Sequence, residues 1–105
     1  MDNRFVYVTA SSRDEARAIG RALVEERLVA CVNILDGMSS MYWWQGEIQD
    51  DQEAVLIAKT TATRMPQVIE RVQALHSYDV PCVVGLPILE GNPDYLSWIV
   101  RETET

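Results

Sequence analysis

The chain is poor in the residues from which metal sites and disulfide frameworks are usually built. It has two cysteines, Cys31 and Cys82, and a single histidine, His76. Two cysteines far apart in the sequence, with no CxxC pair, do not form a disulfide framework. A closed zinc site needs about four ligands and a catalytic one about three. Taken by themselves, His76 and Cys82 therefore give only a weak metal signal.

Basic residues are also scarce. Nine Lys and Arg stand against sixteen Asp and Glu, the formal net charge is −7, and Lys59 is the only lysine. The arginines are spread singly along the chain, so no basic patch is available for a phosphate backbone. Nucleic acids and anionic membranes are therefore disfavoured as partners. The sequence also has no glycine-rich phosphate loop and no GxSxG motif, so we expect no organic cofactor and no catalysis.

Long apolar segments are missing as well. No apolar run approaches the length of a membrane span, and the chain does not open with a basic segment followed by an apolar one. Together with free thiols, these features predict a cytoplasmic protein. The length of 105 residues predicts a single domain, over residues 1–105. Yet 48% of the residues are hydrophobic, including three Trp and four Tyr. A chain this short, folded alone, buries only about two-thirds of its unfolded surface, so we expect it to self-associate.

Short β-branched and aromatic runs alternate with amphipathic segments along the chain. The predicted strands lie at residues 4–9, 29–35, 41–44, 53–61 and 83–89. The predicted helices lie at residues 11–28, 63–76 and from Asn92 onward. Ser12 and Glu15 form a capping box at the first helix, in which each side chain should bind the other residue's backbone N–H.

A long hairpin is predicted from about residue 29 to residue 61, with residues 36–40 as a loop and Gln45–Gly46 as its tight turn. The β-α-β-β-α-β order predicts an α+β fold of the ferredoxin-like split β-α-β type, with a C-terminal helix. Residues 54–58 are apolar at consecutive positions, so both faces of that strand should be covered. Two helices cover one face, and the other needs a second sheet or another protomer.

Three groups of side chains are candidates for a site. Lys59 follows the apolar strand and either reaches solvent or projects into a pocket. Tyr42, Trp43 and Trp44 would stack a ligand or, more commonly, form a subunit interface. His76 ends a helix, where a cap is the ordinary role. An acid–base pair of His76 with a carboxylate three residues later would need the turn to fold back.

Five segments carry a resemblance to a known family: ACVNI, MYWWQGEI, EAVLIAKT, HSYDVP and LPILEGNPDYLSWI. In this order and spacing they closely resemble the CutA family, the divalent-cation-tolerance proteins. The resemblance implies a ferredoxin-like protomer in a tight homotrimer, like that of PII-type signalling proteins. It also implies a non-enzymatic role in the response to metal ions, with copper or another divalent metal bound.

The resemblance also assigns residues to a cleft between subunits. Lys59 matches the lysine of the family's Lys-Thr pair, and His76, Tyr78 and Pro81 match its His-Pro-Tyr-Glu-x-Pro-Glu segment. From residue type rather than from the resemblance, a metal at this segment would be held by the His76 imidazole and the Cys82 thiol. The full set of implied cleft residues is Trp44, Lys59, His76, Tyr78, Asp79, Cys82, Tyr95 and Trp98.

The chain departs from the family segment at three positions. Ser77 stands for the first proline, Asp79 for the first glutamate, and Cys82 for the last glutamate. Some bacterial relatives also have a cysteine where this chain has Ala10 and a histidine where it has Leu75. A copper site inherited whole is therefore not expected.

The leading hypothesis is a cytoplasmic, CutA-like homotrimer that binds a divalent metal or a small ligand in clefts between subunits. One alternative is a PII-like trimeric sensor of a small anionic metabolite, with Lys59 as its charge partner. The other is an interaction scaffold without catalysis. An enzyme that uses His76 with Asp79 is the least favoured hypothesis.

Overall fold

Four strands and three helices follow one another in the computed structural model, which describes residues 2–104. The strands are β1 (Asn3–Ala10), β2 (Cys31–Trp44), β3 (Glu47–Thr61) and β4 (Val83–Pro87). The helices are α1 (Arg13–Glu25), α2 (Met65–Leu75) and α3 (Pro93–Glu102). This is the predicted β-α-β-β-α-β order with a C-terminal helix.

The strands form one antiparallel sheet in the order β2-β3-β1-β4. Alternate residues of β1 and β3 point to the face that carries α1 and α2, because side chains alternate along a strand. These residues form the core with the apolar stripes of the two helices. Its larger members are Val6, Val8, Ile19, Leu23, Leu28, Val29, Leu56, Val68 and Val72. The predicted α+β class is confirmed, and β4, which ends at Pro87, lies at one edge of the sheet.

The long hairpin is more regular than the sequence predicts. Residues 36–40 were expected to form a loop, which is wrong, because β2 continues through them. The pairing shifts register between Leu35 and Met38, where Gly37 takes a positive φ of 74°. Such a β-bulge absorbs an extra residue and bends the strand without ending it. The Gln45–Gly46 turn is confirmed, with φ of 51° and 81°, as a type I′ hairpin requires.

Helix α3 lies on the sheet face opposite α1 and α2. The Asn3 side chain donates a hydrogen bond to the Leu96 carbonyl at 3.1 Å, and Arg64 Nε donates to the Thr103 carbonyl at 2.8 Å. Asn92 lies at the start of the helix as predicted, and its side chain caps the helix by accepting from the Asp94 N–H at 3.0 Å. Because α3 is short, it covers one end of this face only. We call the uncovered remainder, which includes Tyr7, Leu35 and Glu53, the open face.

The open face and the hairpin leave large apolar side chains in solvent. Leu35 is 60% exposed, and Trp43 near the turn is 72% exposed. The described part of the chain measures 44 × 25 × 22 Å, because the hairpin extends well past the helices. Among residues 2–104, none of the helices is both long and apolar enough to cross a membrane.

Candidate ligand-binding cleft

A cleft of about 730 Å³ opens on the open face, between the hairpin and the loop that follows α2. The hairpin wall carries Met38, Tyr42, Trp44 and Glu53. β1 supplies the floor with Tyr7 and Thr9, and the loop supplies Tyr78, Asp79 and Cys82. Two distant stretches of the sequence meet here because β1 lies between β3 and β4.

Glu53 is the most deeply placed charge of the cleft. Its residue is only 6% exposed, and its Oε2 accepts a hydrogen bond of 2.8 Å from the Tyr78 hydroxyl. Burial, then the hydrogen bond to Glu53 and its negative charge, raise the pKa of Tyr78 far above the ordinary value. Burial raises the pKa of the Cys82 thiol, and the negative charge of Glu53 raises it further. Hydrogen bonding at Thr9 lowers it, but by less. The Cys82 thiol therefore keeps its proton at neutral pH.

The aromatic side chains of the cleft are held by their own hydroxyl groups. The Tyr42 hydroxyl donates to Asp51 Oδ2 at 2.9 Å, and the Tyr7 hydroxyl donates to Met38 Sδ at 3.5 Å. Together with the Tyr78–Glu53 bond, these contacts give all three tyrosine hydroxyls an acceptor. Tyr7 and Tyr42 are consequently held on the sheet, and Tyr78, which lies in the loop after α2, is held against β3.

His76 lies behind the cleft wall, with no exposed side-chain surface. Its Nε2 is 2.7 Å from the Thr9 carbonyl oxygen, and its Nδ1 is 3.1 Å from the Tyr78 amide nitrogen. An amide can only donate, so Nδ1 is the acceptor and Nε2 carries the proton that goes to Thr9. Neither ring nitrogen has a lone pair left for a metal in this conformation. Asp79 is not a hydrogen-bond partner of the imidazole.

Glu15 joins the start of α1 to the same loop. Its Oε2 accepts from the Ser77 N–H at 2.9 Å, and its Oε1 accepts from the Ser11 N–H and hydroxyl, both at 2.9 Å. Burial alone would raise the pKa of Glu15, but the hydrogen bonds from Ser11 and Ser77 outweigh it and lower the pKa to about 2. A proline at position 77, as in the family segment, has no N–H to donate. The departure at Ser77 thus adds a bond that fastens the loop.

The predicted capping box is only half right. Ser12 Oγ accepts from the Glu15 N–H at 3.1 Å, as expected. The Glu15 carboxylate turns instead to Ser11 and Ser77, because the loop after α2 packs within reach of it.

Lys59 belongs to a second cluster, near α3. Its Nζ donates to Asn33 Oδ1 at 2.6 Å, and Cys31 is its neighbour across the β2–β3 ladder. The Tyr95 hydroxyl lies 3.5 Å from Cys31 Sγ, a contact that, with burial, raises the pKa of Tyr95 to about 12. The Tyr95 and Trp98 rings lie 5.5 Å apart. Lys59 and Glu53 are separated by about 20 Å along β3, at the usual strand rise of about 3.3 Å per residue.

Within one chain, the structure therefore divides the predicted cleft residues into three groups. Trp44, Tyr78, Asp79 and Cys82 line the cleft. His76 supports it from behind. Lys59, Tyr95 and Trp98 lie at the other end of the sheet.

The sequence interpretation missed Glu53, the buried carboxylate of the cleft. The available signal was its position at the start of the apolar run of β3, on the same strand face as Val55. Because side chains alternate along a strand, a carboxylate at this position points to the same half-buried face as Val55. Its partner Tyr78, however, is 25 residues away in the sequence. Only the folded chain brings the two together.

The described lining of the cleft contains two carboxylates, Glu53 and Asp79, and no Lys, Arg or His. Its charge therefore suits a cation and opposes an anion. Within residues 2–104, no group of three or more His, Cys, Asp or Glu side chains is placed to hold a metal ion. A metal in this cleft would thus need further ligands from water, from methionine or from a second copy of the chain.

Fold and cleft together define a ferredoxin-like α+β protein with an acidic, aromatic-lined cleft on the open face of its sheet. Residues 4–102 match the family model described as CutA1 divalent ion tolerance protein. The chain belongs to the CutA family of divalent-cation tolerance proteins.

Individual relatives support the same assignment. The divalent-cation tolerance protein CutA of Thermus thermophilus is 54% identical over 98 residues, which cover 93% of this chain and 95% of that protein. The chloroplastic Protein CutA 1 of rice is 43% identical over 98 residues, and this chain spans 55% of its length. A solved structure of the Thermus thermophilus divalent cation tolerance protein, Cut A1, has a TM-score of 0.94 and 52% identity, covering 97% of this chain and 99% of that one.

Proposed function

We propose that this protein acts in divalent-cation tolerance as a non-catalytic homotrimer that binds a cation in the cleft beside Glu53, with copper as the first candidate metal. The observation that carries the proposal is the nearly buried Glu53 carboxylate, in a cleft whose described lining has no basic side chain. Family membership supplies the divalent-cation role. The cleft supplies a place where a cation would be attracted.

The donor atoms of the cleft fit a copper ion in kind but not in number. Soft sulfur ligands favour copper over magnesium or calcium, and the cleft offers the Cys82 thiol and the Met38 thioether beside the two carboxylates. In the described residues of a single copy these donors do not form a closed site. We therefore expect the remaining ligands to come from water or from a neighbouring copy.

Copper binding should depend on one of the two thiols only. In an anaerobic calorimetric titration, Cys82→Ser and Glu53→Gln should each weaken copper binding about tenfold or more, the equivalent of about 1.4 kcal/mol. Cys31→Ser is the matched control, because Cys31 contacts Tyr95 at the other end of the sheet. Weakened binding by Cys31→Ser together with unchanged binding by Cys82→Ser would remove the cleft from the proposal.

Self-association is supported by the apolar surface that one chain leaves open. Leu35, Trp43, Val84 and Leu86 are exposed on the sheet and hairpin. Monomeric proteins rarely leave large apolar surfaces exposed, so burial of these side chains against other copies supports self-association.

Light scattering should give a molar mass of about three times the 11.9 kDa protomer. We expect this mass to persist on dilution, because an interface built from exposed aromatic and aliphatic side chains is stabilised by their burial. A mass of one or two protomers would contradict the trimer and leave the cation-binding cleft to be judged by titration.

Three further expectations from the sequence concern a metabolite sensor, catalysis and cellular location. A sensor of an anionic metabolite would use Lys59, which lies outside the cleft, so the geometry does not favour it. Catalysis by His76 and Asp79 is not proposed, because the imidazole nitrogens bind Thr9 and Tyr78 instead. We propose a cytoplasmic location for this chain, while the rice relative is named as chloroplastic.

A further inference from the structure

His76 is held inside the protomer in one protonation state. Its side chain has no exposed surface. Nε2 lies 2.7 Å from the Thr9 carbonyl oxygen and must donate a proton to it, while Nδ1 lies 3.1 Å from the Tyr78 amide nitrogen and must accept from it. The ring is therefore neutral, with its proton on Nε2. Both partners belong to the same chain, so this arrangement does not depend on which surface other copies cover.

A second proton on the imidazole would bind at Nδ1, since Nε2 already carries one. Nδ1 would then be a donor that faces the Tyr78 N–H, which is also a donor, and the hydrogen bond between them would be lost. Histidine is the side chain that ordinarily changes its charge between pH 5 and pH 8. Mild acidification therefore acts on the bond that joins the Tyr78 backbone to the ring.

Glu15 offers the protonated ring a new partner. Its Oε1 lies 3.9 Å from Nδ1 of His76, and a movement of about 1 Å would bring the two atoms to hydrogen-bond distance. The pKa of Glu15 is about 2, so its carboxylate stays negatively charged from pH 8 down to pH 5. The Tyr78 ring, whose centroid is 4.6 Å from that of the imidazole, adds an aromatic surface that attracts positive charge.

Other titratable side chains also face the loop that follows α2. Burial raises the pKa of Tyr78 and that of Cys82, so both keep their protons at pH 8 and below. Glu53 faces the loop from β3 through the Tyr78 hydroxyl, and Asp79 lies in the loop, but neither carboxylate bonds to the imidazole. From β1 the ring meets the uncharged Thr9 carbonyl. Glu15 is therefore the charge that would respond to a proton on Nδ1.

We propose that His76 is a pH-sensitive switch for the loop that joins α2 to β4, residues 76–82. The neutral ring holds the Tyr78 amide, and the protonated ring turns to Glu15 and releases that amide. Tyr78 also donates its hydroxyl to Glu53 at 2.8 Å, so the released residue is one that holds this carboxylate in place. The switch is a property of one folded chain and requires neither a bound cation nor a particular number of copies.

NMR on the wild-type protein tests the switch between pH 8 and pH 5. The ring signals belong to His76, since the chain has a single histidine, and they should change from the Nε2-protonated tautomer to the doubly protonated ring. In step with them, the protection factor of the Tyr78 amide against hydrogen exchange should fall about tenfold, as expected for the loss of one hydrogen bond. A ring that stays neutral down to pH 5 would overturn the proposal. So would a Tyr78 amide whose protection is constant while the ring gains its proton.

Glu15→Gln tests the second partner of the ring. Loss of the negative charge beside Nδ1 should move the midpoint of the ring titration to lower pH by about one unit, because a nearby opposite charge favours the protonated form. Asp14→Asn is the matched control, since Asp14 is an exposed carboxylate in the same first turn of α1. It should leave the midpoint nearly unchanged. Equal shifts in the two variants would contradict the pairing of His76 with Glu15.

His76→Gln removes the titrating ring and tests whether it drives the change at Tyr78. In this variant the protection of the Tyr78 amide should be the same at pH 8 and at pH 5, with circular dichroism at both values to show that the chain is folded. A fall in protection equal to that of the wild type would mean that another group acts on the loop, against the proposal. If His76→Gln does not fold, the coupling between ring and amide in the wild type decides.

Discussion

His76→Ala is expected to lower the free energy of unfolding by about 3 kcal/mol. The substitution leaves a cavity and leaves two backbone groups without a hydrogen-bond partner. The imidazole has no exposed surface, and it bonds to the Thr9 carbonyl and to the Tyr78 amide. Its ring also lies 4.6 Å from the Tyr78 ring. Removing it therefore frees the loop from β1 and loosens the ring that donates to Glu53. Urea denaturation at neutral pH measures the loss.

Gln73→Ala is the control for His76→Ala, because Gln73 is an exposed residue near the end of the same helix. Exposed substitutions of this kind usually change stability by less than about 0.5 kcal/mol. Equal effects of the two substitutions would contradict the structural role of the imidazole. Copper affinity of folded His76→Ala should be unchanged, since both ring nitrogens are occupied by backbone groups. A loss of copper affinity without a loss of stability would instead make His76 a metal ligand, as its residue type suggested.

Glu15→Gln is expected to lower the free energy of unfolding by about 2 kcal/mol at pH 7, because hydrogen bonds to a charged acceptor contribute about 1.5–3 kcal/mol. The Glu15 side chain is only 15% exposed, and its carboxylate accepts from Ser11 and Ser77. The substituted amide keeps an oxygen acceptor but loses the charge that strengthens these bonds. It also weakens the connection between α1 and the cleft loop.

The difference between wild type and Glu15→Gln should depend on pH in a defined direction. Folding lowers the pKa of Glu15 from 4.5 to about 2, so between these values the unfolded chain binds more protons than the folded one. The stabilisation by Glu15 is therefore complete above the unfolded pKa and is lost as the pH falls through the folded pKa. Urea titrations from pH 7 to pH 2 should show the two free energies converging.

Asp14→Asn separates the hydrogen bonds of Glu15 from the general effect of an acidic residue in the first turn of α1. Asp14 is exposed in that same turn, so its charge also interacts with the helix N-terminus. Such interactions contribute about 0.3–1 kcal/mol. A stability difference for Glu15→Gln that is no larger than that for Asp14→Asn, or that stays constant down to pH 2, would contradict the proposed bonding.

The strands and helices could be predicted because each is determined by neighbouring residues. The apolar stripe of α2, the turn at Gln45–Gly46 and the Asn92 cap each depend on a few consecutive side chains. Where the outcome depended on a distant partner, the sequence interpretation failed. The Glu15 carboxylate binds Ser77 rather than Ser12 because the loop after α2 packs beside α1. Likewise, residues 36–40 stay in β2 because β3 pairs with them.

By itself, the sequence determined the α+β class, the order of the elements and, through five ordered segments, the family. These depend on local periodicity and on residue identity, and both can be read from neighbouring residues without knowing the fold. Only the tertiary structure decided that Glu53 is the buried charge of the cleft, that His76 supports the loop, and that Lys59 lies at the other end of the sheet. Strand order and loop packing set these distances, because they place residues side by side that are far apart in sequence.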